Sequence, residues 1–157
     1  MLKVELICVG KLKNSNLNKL IEQYCLWLSV FCKLEIVELP KLKVAGKASV
    51  DGCLKFDEDN FFKKIDSNSF KFALCVEGMQ FSSEEFANKI CRIQNMGYSK
   101  CSFLIGGAFG LPEAVKKDSN FKMSLSQMTL PHGLARLFLV EQIYRAMTIL
   151  GGGSYHK

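Results

Sequence analysis

Two apolar runs constrain the fold of this chain more than any other feature. FKFALCVEG at residues 70–78 and CSFLIGG at residues 101–107 have the length of strands and few polar residues. Such runs are typical of central strands that are covered on both faces. The stretch between them opens with Ser-Ser-Glu-Glu at residues 82–85, a pattern typical of a helix N-terminus. This order predicts an α/β fold with a mostly parallel sheet and helices on both faces.

The same alternation of strands and helices extends over the rest of the chain. Further strands are predicted at residues 2–10, 34–40 and 121–126, and further helices at residues 14–31, 54–65 and 132–150. The segment 41–52 is rich in lysine and glycine without a clear period, which predicts a mobile basic loop. No repeat or low-complexity linker divides the 157 residues, so we expect a single domain over residues 1–157.

Composition narrows the class of protein. Hydrophobic residues make up 48% of the chain, and no apolar run reaches the ~20 residues that a membrane span needs. The amino end lacks the long apolar stretch and the cleavage site of a signal peptide. We therefore expect a protein that stays in the cytoplasm.

Cysteine spacing and charge add two weaker expectations. The seven cysteines are scattered singly, without a C-x-x-C pair, which predicts buried free thiols and no metal site. The net charge of +6 favours an anionic partner, nucleic acid included.

The glycine loop after the run at residues 101–107 resembles nucleotide-binding motifs only in part. It supplies Gly107-x-x-Gly110, but Ile105 stands where a dinucleotide fingerprint needs its first glycine, and no acidic residue follows ~20 positions later. No Gly-Lys-Ser/Thr follows either, which excludes a Walker loop. Two interpretations remain: a structural turn in which Gly106 and Gly107 take positive φ, or a ligand-binding loop.

A second loop favours ligand binding. SQMTLP at residues 126–131 combines hydroxyls, a flexible apolar methionine and a proline that stiffens the turn. Two ordered loops at the carboxyl ends of strands are where an open α/β sheet binds its ligand. Their backbone groups and apolar side chains suit a purine and a thioether better than a triphosphate.

The last predicted helix, residues 132–150, is apolar on nearly every side. Such a helix is buried on more than one side, and in a chain this short the second side points to another subunit. Glu141 is spaced to pair with Arg145. Arg136 stands alone among apolar residues, so it is either paired within the core or held for an anionic ligand. The Tyr-His pair of the tail is either a frayed terminus or part of a site.

Five segments together resemble the bacterial SPOUT-class methyltransferases that modify a pseudouridine at N3 in large-subunit ribosomal RNA. They are VELICVGKLK, FLIGGAFGL, SLSQMTLPH, ARLFLVEQIYRA and GGSYHK, and their order, spacing and total length all agree. The resemblance implies a homodimer that binds S-adenosylmethionine within a C-terminal trefoil knot. It also implies a substrate in ribosomal RNA, in the large subunit or the assembled ribosome, with no metal and no membrane.

The resemblance assigns site residues as well. The cofactor positions of the family correspond to Leu74, Gly107, Ser126, Gln127, Met128, Thr129, Leu130 and Pro131. The catalytic candidates are His132, Arg136, Tyr155 and His156. Our hypothesis is that the Tyr-His tail, from the partner subunit, closes over the base, and that the arginine holds RNA or its anion. Where members of the family often have an acidic residue, this chain has Cys75.

An RNA surface is expected from five lysines, for which solvated surface positions are the alternative: Lys11, Lys13, Lys41, Lys43 and Lys47. Two other functions stay open. A ribosome-associated binding module would keep the cofactor loops without methyl transfer. An enzyme with a nicotinamide cofactor is the third possibility, and the incomplete glycine fingerprint argues against it.

Overall fold

The computed structural model of the protein describes residues 1–43 and 49–156. The elements in these residues are, in order, β1 (Leu2–Val9), α1 (Ser15–Leu28), β2 (Cys32–Leu39), α2 (Val50–Lys64), β3 (Phe70–Met79), α3 (Ser83–Asn95), β4 (Lys100–Ile105), α4 (Glu113–Asp118), β5 (Phe121–Met123) and α5 (His132–Leu150). The strands form one parallel sheet in the order β2-β1-β4-β3-β5. The predicted α/β fold with a parallel sheet is confirmed.

The helices cover both faces of this sheet, as predicted. On one face, Ile21 of α1, Phe86 of α3 and Val140 of α5 join the larger core cluster. On the other face, Phe61 of α2 and Val115 of α4 join the smaller one. The chain crosses the sheet in one direction through α1 and α3 and in the opposite direction through α2 and α4. A single hand of crossover requires the two pairs of helices to lie on opposite faces.

The helix N-termini follow from their sequences. The Ser82 hydroxyl accepts a hydrogen bond from the Glu85 N–H (3.1 Å), and the Glu85 carboxylate accepts one from the Ser82 N–H (2.7 Å), which is a capping box. α5 has the predicted bounds. α2 starts earlier than predicted, at Val50, because the Ser49 hydroxyl caps it by accepting from the Gly52 N–H (3.0 Å).

Three predictions from the sequence differ from the structure or concern residues that it does not describe. β5 ends at Met123, short of the predicted residue 126. All seven cysteines are free, but the expected burial holds only for Cys8, Cys32 and Cys101; the other four are half-buried. Residues 50–52 of the predicted loop belong to α2, and residues 44–48 lie outside the described residues.

α5 packs between α1 and α3. Leu139, Val140 and Ile143 are buried in the core between the sheet, α1 and α3. Leu134 and Phe138 on its other side remain 45% and 43% exposed. No helix within residues 1–43 and 49–156 is both long enough and apolar enough to cross a membrane.

Candidate active site

A cleft of about 1480 Å³ opens at the carboxyl ends of the strands. Its lining includes the ends of β1 and β2, the end of β3, the glycine loop after β4 and the segment between β5 and α5. In open α/β sheets, ligands bind outside the carboxyl ends of the strands. Both loops that the sequence singles out therefore face the same cavity.

The glycine loop closes on itself as a tight turn. The Gly110 N–H donates a hydrogen bond to the Gly107 carbonyl (3.1 Å). The predicted positive φ of Gly106 and Gly107 is wrong, because in this loop Gly110 has the left-handed value, +78°. Gly106 meets a different requirement, since a Cβ at this position would overlap the Gly110 backbone. The turn thus exposes bare backbone to the cleft.

The second loop, residues 124–131, is shaped by its own serines. The Ser124 hydroxyl donates to the Ser126 carbonyl (2.9 Å), and the Ser126 hydroxyl accepts from the Met128 N–H (3.0 Å). Of the predicted cofactor positions, all except Gln127 line the cleft: Leu74, Gly107, Ser126, Met128, Thr129, Leu130 and Pro131. Cys75 lines it too, where its half-buried thiol donates to the Ala73 carbonyl (3.7 Å).

Arg136 is held inside the protein. Its guanidinium donates to Glu38 Oε1 (2.7 Å) and to the Gly10 carbonyl (2.6 Å), and the residue is only 1% exposed. Of the two alternatives for this arginine, the structure shows the pairing within the core. The pair joins α5 to the ends of β1 and β2, and Glu38 itself lines the cleft.

His132 stands at the first position of α5 and lines the cleft. Burial lowers the pKa of its imidazole below the ordinary value, and the positive charges of Arg136 and Lys41 lower the pKa further, against the opposing effect of Glu38. A histidine with a lowered pKa is neutral at pH 7, so its ring can accept a proton.

The tail lies away from the cleft of its own chain. Glu141, which the Tyr155 hydroxyl contacts, is nine residues beyond His132 in α5, about 14 Å along the helix axis, and the cleft lining includes neither residue of the Tyr-His pair. The Tyr155 hydroxyl contacts Tyr24 (3.4 Å) and donates to Glu141 (3.3 Å), while His156 Nε2 lies 2.7 Å from Glu84. Within one chain, therefore, the structure does not bring the tail and the cleft together.

The tail packs onto the predicted ion pair of α5. Arg145 and Glu141 form this pair at 2.6 Å, and the Arg145 guanidinium lies 4.8 Å from the centre of the Tyr155 ring. The hydrogen bond with Tyr24, together with burial, raises the pKa of the Tyr155 phenol. This hydroxyl therefore stays protonated at neutral pH and can act as a donor.

Four of the five predicted lysines line the cleft, namely Lys11, Lys13, Lys41 and Lys43, and Lys47 lies outside the described residues. Lys116 is a further cation of the lining, paired with Glu77 (2.7 Å) and Glu113 (3.2 Å). No group of three or more His, Cys, Asp or Glu side chains within the described part of the chain is arranged to hold a metal ion.

Three acidic residues of the site region were not predicted from the sequence: Glu38, Glu77 and Asp57. Asp57 is 8% exposed, and its carboxylate lies 3.6 Å from the position of a Cβ on Gly107. Burial raises the pKa of this carboxyl, against the opposing effect of Lys41. The sequence pattern could have identified Glu38 and Glu77 as site residues, since each lies near the carboxyl end of a predicted strand.

Comparison with known proteins identifies relatives along the whole chain. The family described as predicted SPOUT methyltransferase matches residues 2–156. A protein of Streptococcus suis named ribosomal RNA large subunit methyltransferase H is 46% identical, over 99% of this chain and 100% of its own length. Proteins of the same name from Streptococcus pyogenes and Streptococcus equi are 45% and 42% identical with the same coverage.

Solved structures share the fold at low sequence identity. A probable methylase family protein from Haemophilus influenzae matches with a TM-score of 0.52 and 13% identity, over 99% of this chain and 70% of its own. A putative methylase family protein from Neisseria gonorrhoeae matches with a TM-score of 0.51 and 12% identity, over 91% of this chain and 81% of its own.

Proposed function

This chain belongs to the SPOUT methyltransferase family, and we propose that it transfers a methyl group from S-adenosylmethionine to N3 of a pseudouridine in large-subunit ribosomal RNA, in the cytoplasm. The names of the relatives support the class of substrate. The observation that carries the proposal is the cleft, in which two loops rich in backbone donors and acceptors share one cavity with four lysines.

The loop side of the cleft fits the methyl donor. The backbone of Gly107, Ser126 and residues 128–130 offers N–H and carbonyl groups to an adenine and a ribose, and Leu74 and Leu130 offer apolar surface. When bound, S-adenosylmethionine supplies a methyl carbon activated by a sulfonium sulfur. The chain has to orient that carbon toward the attacking nitrogen, and orientation provides much of the rate in such displacements.

The opposite side of the cleft has room for a nucleotide. Pockets for one small ligand measure about 300–1,000 Å³, so a cleft of about 1480 Å³ accommodates a base beside the donor. Lys11, Lys13, Lys41 and Lys43 line this cleft, and lysines bind the phosphates of nucleic acids through their charge.

His132 is our candidate for the proton acceptor. As the bond between N3 and the methyl carbon forms and the bond between sulfur and carbon breaks, the imidazole takes the N3 proton and becomes imidazolium. The electron pair of the broken bond stays on sulfur, which leaves a neutral thioether. Arg136 has no exposed surface for RNA and acts through Glu38 instead.

A homodimer would complete the site with the tail of the other subunit. The side chains of Leu20, Trp27, Leu134 and Phe138 are all more than 40% exposed on α1 and α5, and apolar surface of this kind marks interfaces. Because the tail of one chain does not line its own cleft, we propose that the partner subunit's Tyr155 and the partner subunit's His156 close over the base.

The trefoil knot remains part of the proposal. One close approach between distant segments supports it, because a Cβ on Gly78 would lie 2.5 Å from the Met123 backbone. Pulling the two ends apart in a single-molecule experiment tests it. A knotted chain stays measurably shorter than 157 extended residues, and the full contour length would contradict the knot.

The function is tested by methyl transfer itself. Purified protein is incubated with S-adenosylmethionine carrying a labelled methyl group and with ribosomes that lack the modification. Mass spectrometry of the digested RNA then locates the label. We expect one methylated pseudouridine per large subunit, and calorimetric binding of S-adenosylmethionine but not of NADH. Saturable donor binding without transfer to any ribosomal particle would instead favour a binding module.

A further inference from the structure

Glu38 lines the cleft, and hydrogen bonds from the protein hold its carboxylate in place. Its Oε1 accepts hydrogen bonds from the Leu12 N–H (3.0 Å) and from Arg136 (2.7 Å). Arg136 is itself anchored on the Gly10 carbonyl (2.6 Å) and 1% exposed. Both donors bind the same oxygen, and within residues 1–43 and 49–156 no group donates to Oε2. The Glu38 side chain is 30% exposed.

This carboxylate belongs to the nucleotide side of the cleft. In the sheet, β1 alone separates β2, which ends next to Glu38, from β4, and β1 and β4 together separate it from β3. At the usual strand spacing these separations are about 10 Å and about 14 Å. The loops assigned to the methyl donor follow β4 and β5, and Leu74 is on β3. Arg136 and Lys11 act on Glu38 electrostatically, and Glu38 in turn acts on His132 and Cys8. Glu38 is thus the acidic member of a basic region.

We propose that Glu38 distinguishes pseudouridine from uridine by accepting a hydrogen bond from N1–H of the target base. This inference rests on the proposed function. Pseudouridine is joined to its ribose through carbon and therefore keeps N1–H beside N3–H, whereas uridine has only N3–H. A fixed, ionised oxygen is a strong acceptor for such a group. Burial alone would raise the pKa of Glu38, but the Leu12 N–H and Arg136 outweigh it and hold the pKa below its usual range, so the carboxylate stays charged.

Discrimination of this kind is large. A site built to hydrogen-bond an N–H rejects the analogue that lacks it by as much as about 10⁴-fold when the bound base covers the acceptor, because the covered acceptor is then left without a donor. The test compares ribosomes whose target is pseudouridine with ribosomes from a strain that leaves the target as uridine. Single-turnover methylation is measured on both for the wild type, Glu38→Gln and the control Glu35→Gln, which changes an exposed carboxylate of the same strand outside the cleft.

We expect the wild type and Glu35→Gln to prefer pseudouridine by at least 100-fold. The amide that replaces the carboxylate presents N–H where the wild type presents oxygen, so Glu38→Gln should lose at least 100-fold on pseudouridine and almost nothing on uridine. Affinity for S-adenosylhomocysteine, measured by calorimetry, should not change. If methylation of the uridine ribosomes is too slow to measure for all three enzymes, the supporting result is a loss of methylation on pseudouridine ribosomes with unchanged affinity for S-adenosylhomocysteine, the product of the methyl donor.

Three results would overturn the assignment. They are equal rates of the wild type on both ribosomes, an unchanged preference in Glu38→Gln, and a parallel fall in stability and product affinity, which would make Glu38 a structural residue. Failure of the proposed function looks different, because the wild type would then methylate neither kind of ribosome.

Discussion

Asp57 is a single residue whose burial has a measurable consequence. It is 8% exposed, and no described residue donates a hydrogen bond to its carboxylate. Because its pKa is raised in the folded protein, the folded state binds this proton more tightly than the unfolded state does. The free energy of unfolding therefore falls as the pH rises from the ordinary Asp pKa of 3.8 through the raised value.

We predict that Asp57→Asn stabilises the protein at pH 8 by ~1 kcal/mol, the usual size of a single-substitution effect, because it removes a charge that burial disfavours, and has little effect at pH 3.5. Thermal unfolding at both pH values measures the difference. Asp59→Asn, on the exposed side of the same helix beside Lys55, is the control and should show no such trend. A stability gain that is the same at both pH values would contradict a charge-based explanation.

The lowered pKa of His132 predicts the pH profile of the reaction. If its imidazole accepts the N3 proton, protonation in acid removes the base, so kcat/KM should fall with a midpoint below 6.5, the ordinary His value. His132→Gln should lower the plateau by about 10²-fold or more and remove this acid limb. A variant that keeps the limb would exclude His132 as the base. Circular dichroism and donor affinity serve as controls for folding.

The Glu38–Arg136 pair shows where residue-level prediction stops. A lone arginine in an apolar helix predicts either a core pair or an anion site, and nothing local decides between them. The two side chains are 98 positions apart in the chain, and they meet only because the end of β2 and the start of α5 both lie at the cleft. Such long-range pairs depend on the three-dimensional packing, which spacing along the sequence does not encode.

At the scale of elements, the close approach of the backbone after β4 explains why the residue that follows this strand is a glycine, Gly106. A Cβ there would meet the Gly110 carbonyl and the Leu111 nitrogen, both at 2.5 Å, and neither backbone atom can move aside easily. We predict that Gly106→Ala destabilises the protein by about 3 kcal/mol, at the upper end for overpacking, and abolishes donor binding. Denaturant unfolding and calorimetry measure the two effects.

Gly97→Ala is the matched control, because Gly97 has φ +92° but nothing within 4 Å of an added Cβ. This change should cost only about 1 kcal/mol and leave donor binding intact. Equal effects of the two substitutions would contradict the importance of the close approach at Gly106.

Regular elements were predicted well from the sequence, and irregular ones were not. The long apolar stretch at residues 132–150 predicts α5 with its bounds, and the Ser-Ser-Glu-Glu sequence predicts the start of α3, because both signals are local. The extent of β5 depends on Met79, whose carbonyl accepts from the Ser124 N–H (2.9 Å). The role of Gly106 depends on a turn four residues later. Both involve contacts that a local pattern does not contain.

At the scale of the whole molecule, the exposed apolar surface of α1 and α5 predicts the oligomeric state. Phe138 is 43% exposed, so a lysine at this position would be solvated in a monomer. In a dimer that buries this surface, the lysine charge would be buried without a counter-charge. We predict that Phe138→Lys weakens dimerisation at least tenfold, which is ~1.4 kcal/mol, as measured by sedimentation. Met96→Lys, 67% exposed at the C-cap of α3, is the control. A monomeric wild type would refute the dimer.

A mixing experiment decides whether each cleft uses the tail of the other subunit. The first variant lacks residues 155–157 and keeps an intact cleft. The second carries Gly107→Val and keeps an intact tail. The valine side chain would crowd Val9, which lies 3.2 Å from the position of the Cβ, and would fill the cofactor side of the cleft. Each alone should be inactive. After subunit exchange, half of the dimers are mixed and each has one site with an intact cleft and an intact tail from the partner, so about a quarter of the wild-type activity should return. If cleft and tail had to come from the same chain, no mixture would recover activity, because neither chain carries both.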